Sequence, residues 1–172
     1  MKDERGATLV EFAIISILLF TVLYGIMEFS LAFKDWLSIS HASREGVRVG
    51  AVAGNDAAAD IEILRAVERA MTAAGMTNLV SVSVANPDNM SEKTAYAWNG
   101  GTPCRWTPCP DPTEPAYVQP GWDPGSRRIS TPTDRIEVSI EFRHQWVTGL
   151  FSIGPTDWKK TVIMDIEPQV FG

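Results

Sequence analysis

Residues 7–27 form an apolar run of 21 residues in which Glu11 is the single charge. That length suits one helical crossing of a hydrocarbon layer about 30 Å thick. A chain with such a run must bury it in lipid, and whatever follows folds outside the bilayer. The carboxylate needs a reason, because a charge at the bilayer centre costs about 2.5–3.5 kcal/mol on insertion scales. A plain anchor does without it. Lys2 and Arg5 precede the run, while Glu28 and Asp35 follow it. Acidic residues weigh little in the positive-inside rule, so the N-terminus reads as cytoplasmic and the rest as exported.

Two simple readings compete with a third. A cleaved secretory signal would use Ser30-Leu31-Ala32 as a loose cleavage site, but the apolar run is too long for a usual signal core. A plain signal anchor would make Glu11 accidental. The third reading explains Gly6 and Glu11 together. A cut between Gly6 and Ala7 makes Glu11 the fifth residue of the mature chain and leaves a cationic amine on Ala7. An amine–carboxylate pair between neighbouring subunits then offsets much of the desolvation of both charges.

"RGATLVEFAI", Arg5 to Ile14, resembles the processing site of TadE-like pseudopilins of tight-adherence (Tad/Flp) pilus systems. "SHASREGVRVGA", Ser40 to Ala51, is similar to the family's A-x-E-G-x-R stretch, with Ser43 where alanine is more usual. "VIMDIEP", Val162 to Pro168, looks like the strand and Glu-Pro ending of TadE-like domains. The resemblance implies cleavage after Gly6 by a prepilin peptidase, and an assembly role for Glu11 with Phe12 beside it. Glu-Phe, where major Flp pilins carry Glu-Tyr, and the long remaining chain favour a minor pseudopilin. The implied partners are the peptidase, other pilins and pseudopilins, the Tad secretion apparatus and the lipid bilayer. The implied location is the bacterial cytoplasmic membrane, with the head outside and entry into a pilus possible.

The expected fold class is α+β and pilin-like. Residues 1–6 form a leader, 7–27 a transmembrane helix, 28–54 its extension and 55–172 an extracytoplasmic head. Phe29, Phe33, Trp36, Leu37 and Ser40 keep helical spacing past the membrane, and no proline occurs before Pro87. Gly50 and Gly54 are the first candidates to stop the helix. Glu45 and Arg48 are candidate partner contacts by resemblance; an i, i+3 pair on a solvated face is the plainer alternative. His41 reads as a surface helix residue.

"NDAAADIEILRAVERAMTAAGM" reads as a second helix, capped by Asn55 or Asp56 and ended near Gly75. Its stripe of Ile61, Leu64, Val67 and Met71 suits packing on a sheet. Three segments alternate as strands: "LVSVSVA" with Val80, Val82 and Val84 on one face, "RIEVSIEFR" with Ile136, Val138, Ile140 and Phe142, and "TVIMDIE" with Val162, Met164 and Ile166. An antiparallel sheet covered on one face by helices follows. Trp146 and Trp158 fall in the connection before the last strand.

Residues 86–133 hold nine of the eleven prolines and three of the six tryptophans, Trp98, Trp106 and Trp122. A connection of 48 residues far exceeds the usual length. It reads as an exposed insertion whose tryptophans contact a partner, with a variable decoration packed on the head as the alternative. A zinc site at Cys104 and Cys109 would need two more ligands, and the only histidines, His41 and His144, are remote in sequence. A small structural disulfide, fitting an oxidising compartment, is the better reading and free thiols the other. The Asn89-Met90-Ser91 sequon is short enough to arise by chance.

The net charge of −6, with 15 acidic and 10 basic residues from Asn55 onward, opposes nucleic-acid binding. No HExxH, G-x-S-x-G or Walker-type motif is present, and Asp111, Glu114 and Asp123 lie in the proline-rich loop without a positioned partner. Neither enzyme chemistry, a cofactor, a metal nor a small-molecule substrate is expected. An unprocessed, single-pass binding module using the Trp-rich loop is the alternative to an assembly subunit.

Overall fold

A computed structural model describes residues 4–102, 104–149 and 154–168 of the chain. The leader's first three residues and the last four residues of the expected head lie outside them. Helix α1, Glu4–Ala53, runs unbroken for 50 residues, about 75 Å at 1.5 Å per residue. Five of its hydroxyl side chains are satisfied within the helix: Thr21, Ser30, Ser38, Ser40 and Ser43 each donate to the carbonyl four residues back. Gly54 ends it, with φ of +59° and its amide donating to Gly50 O. Gly50, expected as a possible stop, lies inside the helix. Burial explains its use there, as described below.

Helix α2, Ala59–Ala73, begins later than the sequence pattern suggests. Asp56 Oδ1 accepts from the amide of Ala58 in the turn ahead of it, so its side chain caps the turn and not the helix. Gly75, with φ of +71°, closes the other end as expected. Ile61, Leu64, Val67 and Met71 are all buried, joined by Ile63. They face mainly α1, with the sheet beyond it.

Five strands, β1 (Leu79–Asn86), β2 (Asn89–Trp98), β3 (Trp106–Thr107), β4 (Arg135–His144) and β5 (Thr156–Asp165), form one antiparallel sheet. Its order is β3-β2-β1-β4-β5. The C-terminal half of α1 packs on β4 and β5 and against α2, so one face of the sheet is covered by helix. Val82, Val84, Tyr96, Ile136, Val138, Ile140 and Phe142 point into that core, meeting Ile39, Val47, Ile63 and Val67.

Three strand expectations need correcting. Strand β2 lies inside the stretch read as a long connection, and pairs with β1 across a short hairpin at Pro87. Its buried face offers only Thr94, Tyr96 and half of Trp98, too thin a pattern to stand out. In β1 the register shifts between Leu79 and Ser81, which buries Leu79 and leaves Val80 half-buried. In β5, which starts five residues early, Trp158 is a strand residue and Met164 is exposed. Ile166 re-enters the core beyond the strand, where its amide donates to Asp134 O and that of Glu167 to Ala51 O.

Candidate functional site

The N-terminal part of α1 is the first candidate. From Leu9 to Leu23 its large apolar residues are between 50% and 71% exposed. No other described part of the molecule covers them, so the segment needs an apolar surrounding. Gly6 sits within the helix, and a Cβ built on it would meet nothing within 4 Å. Ala7, Glu11 and Phe12 are exposed on the same segment. Among the described residues no hydrogen-bond donor or cation is recorded against Glu11. The carboxylate therefore sits in an apolar segment without a compensating partner among the described residues.

The 40–51 stretch is the second candidate. Arg48 Nε and Nη2 donate to the two carboxylate oxygens of Glu45 at 3.2 and 2.8 Å. The hydrogen bond holds Glu45 below and Arg48 above their ordinary pKa values. Arg48 remains exposed, so the pair has the geometry of a helix-surface i, i+3 contact and leaves the guanidinium face open to solvent. Gly46 and Gly50, on another side of the same helix, mark the tightest approach in the head. A Cβ on Gly46 would lie 2.7 Å from Val67 Cγ2; one on Gly50 would lie 2.7 Å from Ile136 Cδ1 and 2.8 Å from Ile63 Cδ1. Gly50 therefore serves helix–sheet contact rather than termination.

Residues 6–48 match the sequence model of the TadE-like protein family. Over this segment the chain is similar to that family. The matched segment takes in Gly6, Glu11, Glu45, Gly46 and Arg48, and stops within α1, before α2 and the sheet begin. It leaves out the third resembling motif, Val162 to Pro168. TadE-like proteins belong with the Tad pilus and are structural rather than enzymatic, and the exposed apolar helix fits membrane anchoring. No characterised protein and no solved structure matched the chain.

Just above the apolar segment, the TadE-like helix is tied to its head by two acidic side chains. Glu28, almost fully buried, accepts hydrogen bonds from the amides of Val147 (2.5 Å) and Thr148 (2.9 Å). The Thr148 side chain and these amides hold its carboxyl below the ordinary value, against the opposing effect of desolvation. Two turns on, Asp35 Oδ2 lies 2.8 Å from Nδ1 of the buried His144. The imidazole stacks on Trp158 at 4.6 Å and meets the edge of Trp146 at 4.7 Å. Trp36 completes this cluster, edge-on to Trp158 at 6.2 Å with Lys160 above its ring. Sequence reasoning saw Glu28 and Asp35 only as charges flanking the span. Their partners lie more than 100 residues away, and no local pattern announces them.

The proline-rich stretch is ordered around a buried ion pair. Arg127 donates to Asp60, which also accepts from Tyr96 Oη at 2.5 Å, and all three side chains are buried. Burial first, and the neighbouring Asp60 second, push the Tyr96 hydroxyl far above its ordinary pKa. The guanidinium lies 4.5 Å over the Trp122 ring. Cys104 and Cys109 are joined in a disulfide with a Cα–Cα distance of 5.7 Å. Trp106 and Trp122, singled out as partner contacts, are core residues here, and only Trp98 is half-exposed, edge-on to Trp106 at 4.9 Å. The packing that orders the loop uses up the rings that composition alone suggested were free.

Proposed function

We propose that this chain is a minor pseudopilin of a Tad/Flp-type pilus, cut between Gly6 and Ala7 by a prepilin peptidase. The observation that carries the reading is the exposed Glu11, without a partner among the described residues, in an apolar helix that opens with an unobstructed Gly6. A new α-amine on Ala7, brought to the depth of a neighbour's Glu11, supplies the missing charge. The removed residues, Met1 to Gly6, carry Lys2 and Arg5 with Asp3 and Glu4, so cleavage leaves the net charge unchanged. In this reading residues 7–27 span the bacterial cytoplasmic membrane, the N-terminus is cytoplasmic, and the head lies outside. Partners are other pilins and pseudopilins and the Tad apparatus. Glu45 and Arg48 are offered to them, the guanidinium being open to solvent.

Burial of Trp106 and Trp122 weakens the alternative of an unprocessed binding module, since two of its three recognition rings are in the core. The test is the N-terminal residue of the membrane-bound protein, read by mass spectrometry with and without the host's prepilin peptidase. Ala7 as the first residue only when the peptidase is present supports the proposal. An intact or methionine-trimmed terminus in both strains overturns it.

A further inference from the structure

Two tethers measure height along α1. Asp35 holds His144 at the end of β4, and Glu28 holds Val147 and Thr148 just beyond it. Seven residues of helix separate the two acids, about 10 Å of axial rise. The chain leaving β4 therefore descends beside α1 toward the apolar segment. By Val147 it has reached the level of Glu28, the first residue after 7–27.

That level is where hydrocarbon gives way to headgroups when residues 7–27 cross the bilayer. The surface there is apolar on both elements. Val147 is 66% exposed, and on the helix Phe29 is 57% and Phe33 63% exposed, lining one groove with Val22 and Ile26 of the apolar segment. Trp146, half-buried beside Val147, turns its indole N–H to Thr156 Oγ1 at 2.8 Å, so the ring carries no unpaired donor. The Glu28 carboxylate does the same for the backbone. Amides just past the end of a strand ordinarily bond water, and such groups are costly in an apolar layer unless satisfied internally. Here the amides of Val147 and Thr148 are both taken by Glu28, whose own charge is shielded from the surroundings.

We propose that residues 146–148 of the β4–β5 connection form a second membrane contact, with Val147 set into the outer-leaflet interface beside the anchor helix. The proposal rests on the reading that residues 7–27 span the bilayer. The occupant is lipid rather than a second copy of the chain, because the exposed patch continues the surface that lipid already covers. The head is then held down on the membrane at two points, and not carried on a free stalk.

The test uses the full chain in phosphatidylcholine–phosphatidylglycerol vesicles, with a nitrobenzoxadiazole probe on Val147→Cys. The native cysteines are paired and do not compete for the label. Met90→Cys, at a 90% exposed position next to the β1–β2 turn, reports water, and Leu19→Cys reports the span. The Val147 variant keeps both amides that Glu28 binds. Lipids carrying a nitroxide near the headgroup should quench the Val147 probe several-fold more than the Met90 probe, at every protein-to-lipid ratio, and lipids carrying it deep on the acyl chain should quench the Leu19 probe. Quenching at Leu19 with a Val147 probe that behaves like Met90 overturns the proposal and leaves the span intact. Quenching at Val147 that vanishes on dilution in lipid means that another copy covers the site, which also overturns it. No quenching at Leu19 removes the spanning reading and this proposal with it.

Discussion

Gly46 and Val67 approach so closely that a Cβ on the glycine would lie 2.7 Å from Val67 Cγ2, with Val138 Cγ1 at 3.5 Å behind it. The glycine of the TadE-like stretch is thus the point where α1 passes between α2 and β4. Valine is stiff about χ1 and cannot swing its methyl aside. Gly46→Ala should cost about 1–3 kcal/mol through overpacking, offset by the ~1 kcal/mol that alanine gains in a helix. A drop in the denaturation midpoint of the detergent-solubilised chain is expected. A rise would show that the junction is looser than this geometry.

Gly6→Ala provides the contrast. Nothing lies within 4 Å of the added Cβ, so the unfolding midpoint should stay the same or rise slightly. Any loss of N-terminal processing in that variant then belongs to recognition by the peptidase and not to folding. Normal cleavage of Gly6→Leu would count against Gly6 as the processing residue.

Asp60 and Arg127 form a second test of packing. Asp60→Ala leaves a buried guanidinium whose Nε and Nη1 already have no hydrogen-bond partner among the described residues. Removing one member of such a pair costs about 3–5 kcal/mol. The apolar triple change Asp60→Leu, Tyr96→Phe and Arg127→Met should recover most of it, because no polar group is then stranded. Equal stabilities for the single and triple variants, read from urea unfolding, would contradict this.

Glu28 makes the head–helix junction sensitive to acid. Its folded pKa lies below the ordinary value of about 4.5, so the ionised form is the one the fold stabilises. That contribution is complete above the unfolded value and is lost as the pH falls through the folded one. The protection of the Val147 and Thr148 amides against hydrogen exchange, taken relative to their intrinsic rates at each pH, should therefore fall below about pH 4.5, and Glu28→Gln should show the reduced protection already at neutral pH. Unchanged protection in the variant would mean that the amides find other partners.

The helix α1 and strand β4 were legible because their patterns are long and periodic: an apolar run for the first, and Ile136, Val138, Ile140 and Phe142 in strict alternation for the second. Strand β2 was not, because Ser91, Glu92 and Lys93 interrupt it and only Tyr96 is a large, fully buried side chain. Gly6, Glu11 and the 40–51 stretch could be read locally, since each lies within a few residues of what gives it meaning. Glu28, Asp35, Asp60 and Arg127 could not. An acid on a helix reads as a solvated residue until the fold brings a distant donor to it. The tryptophans misled in the opposite sense: composition marks them as costly to expose but does not say whether a partner or the chain's own core covers them.

The unbroken α1 has a geometric consequence for any assembly. Glu11 and the acids that grip the head, Glu28 and Asp35, sit on one rod and so share a fixed angular phase. One alanine inserted between Glu11 and Glu28 turns the head by about 100° and lifts it by about 1.5 Å relative to that carboxylate. Seven inserted residues restore the angle to within about 20° and raise the head by about 10 Å. The apolar helix thus works as a spindle, indexing which side of the head faces outward to what its far end engages.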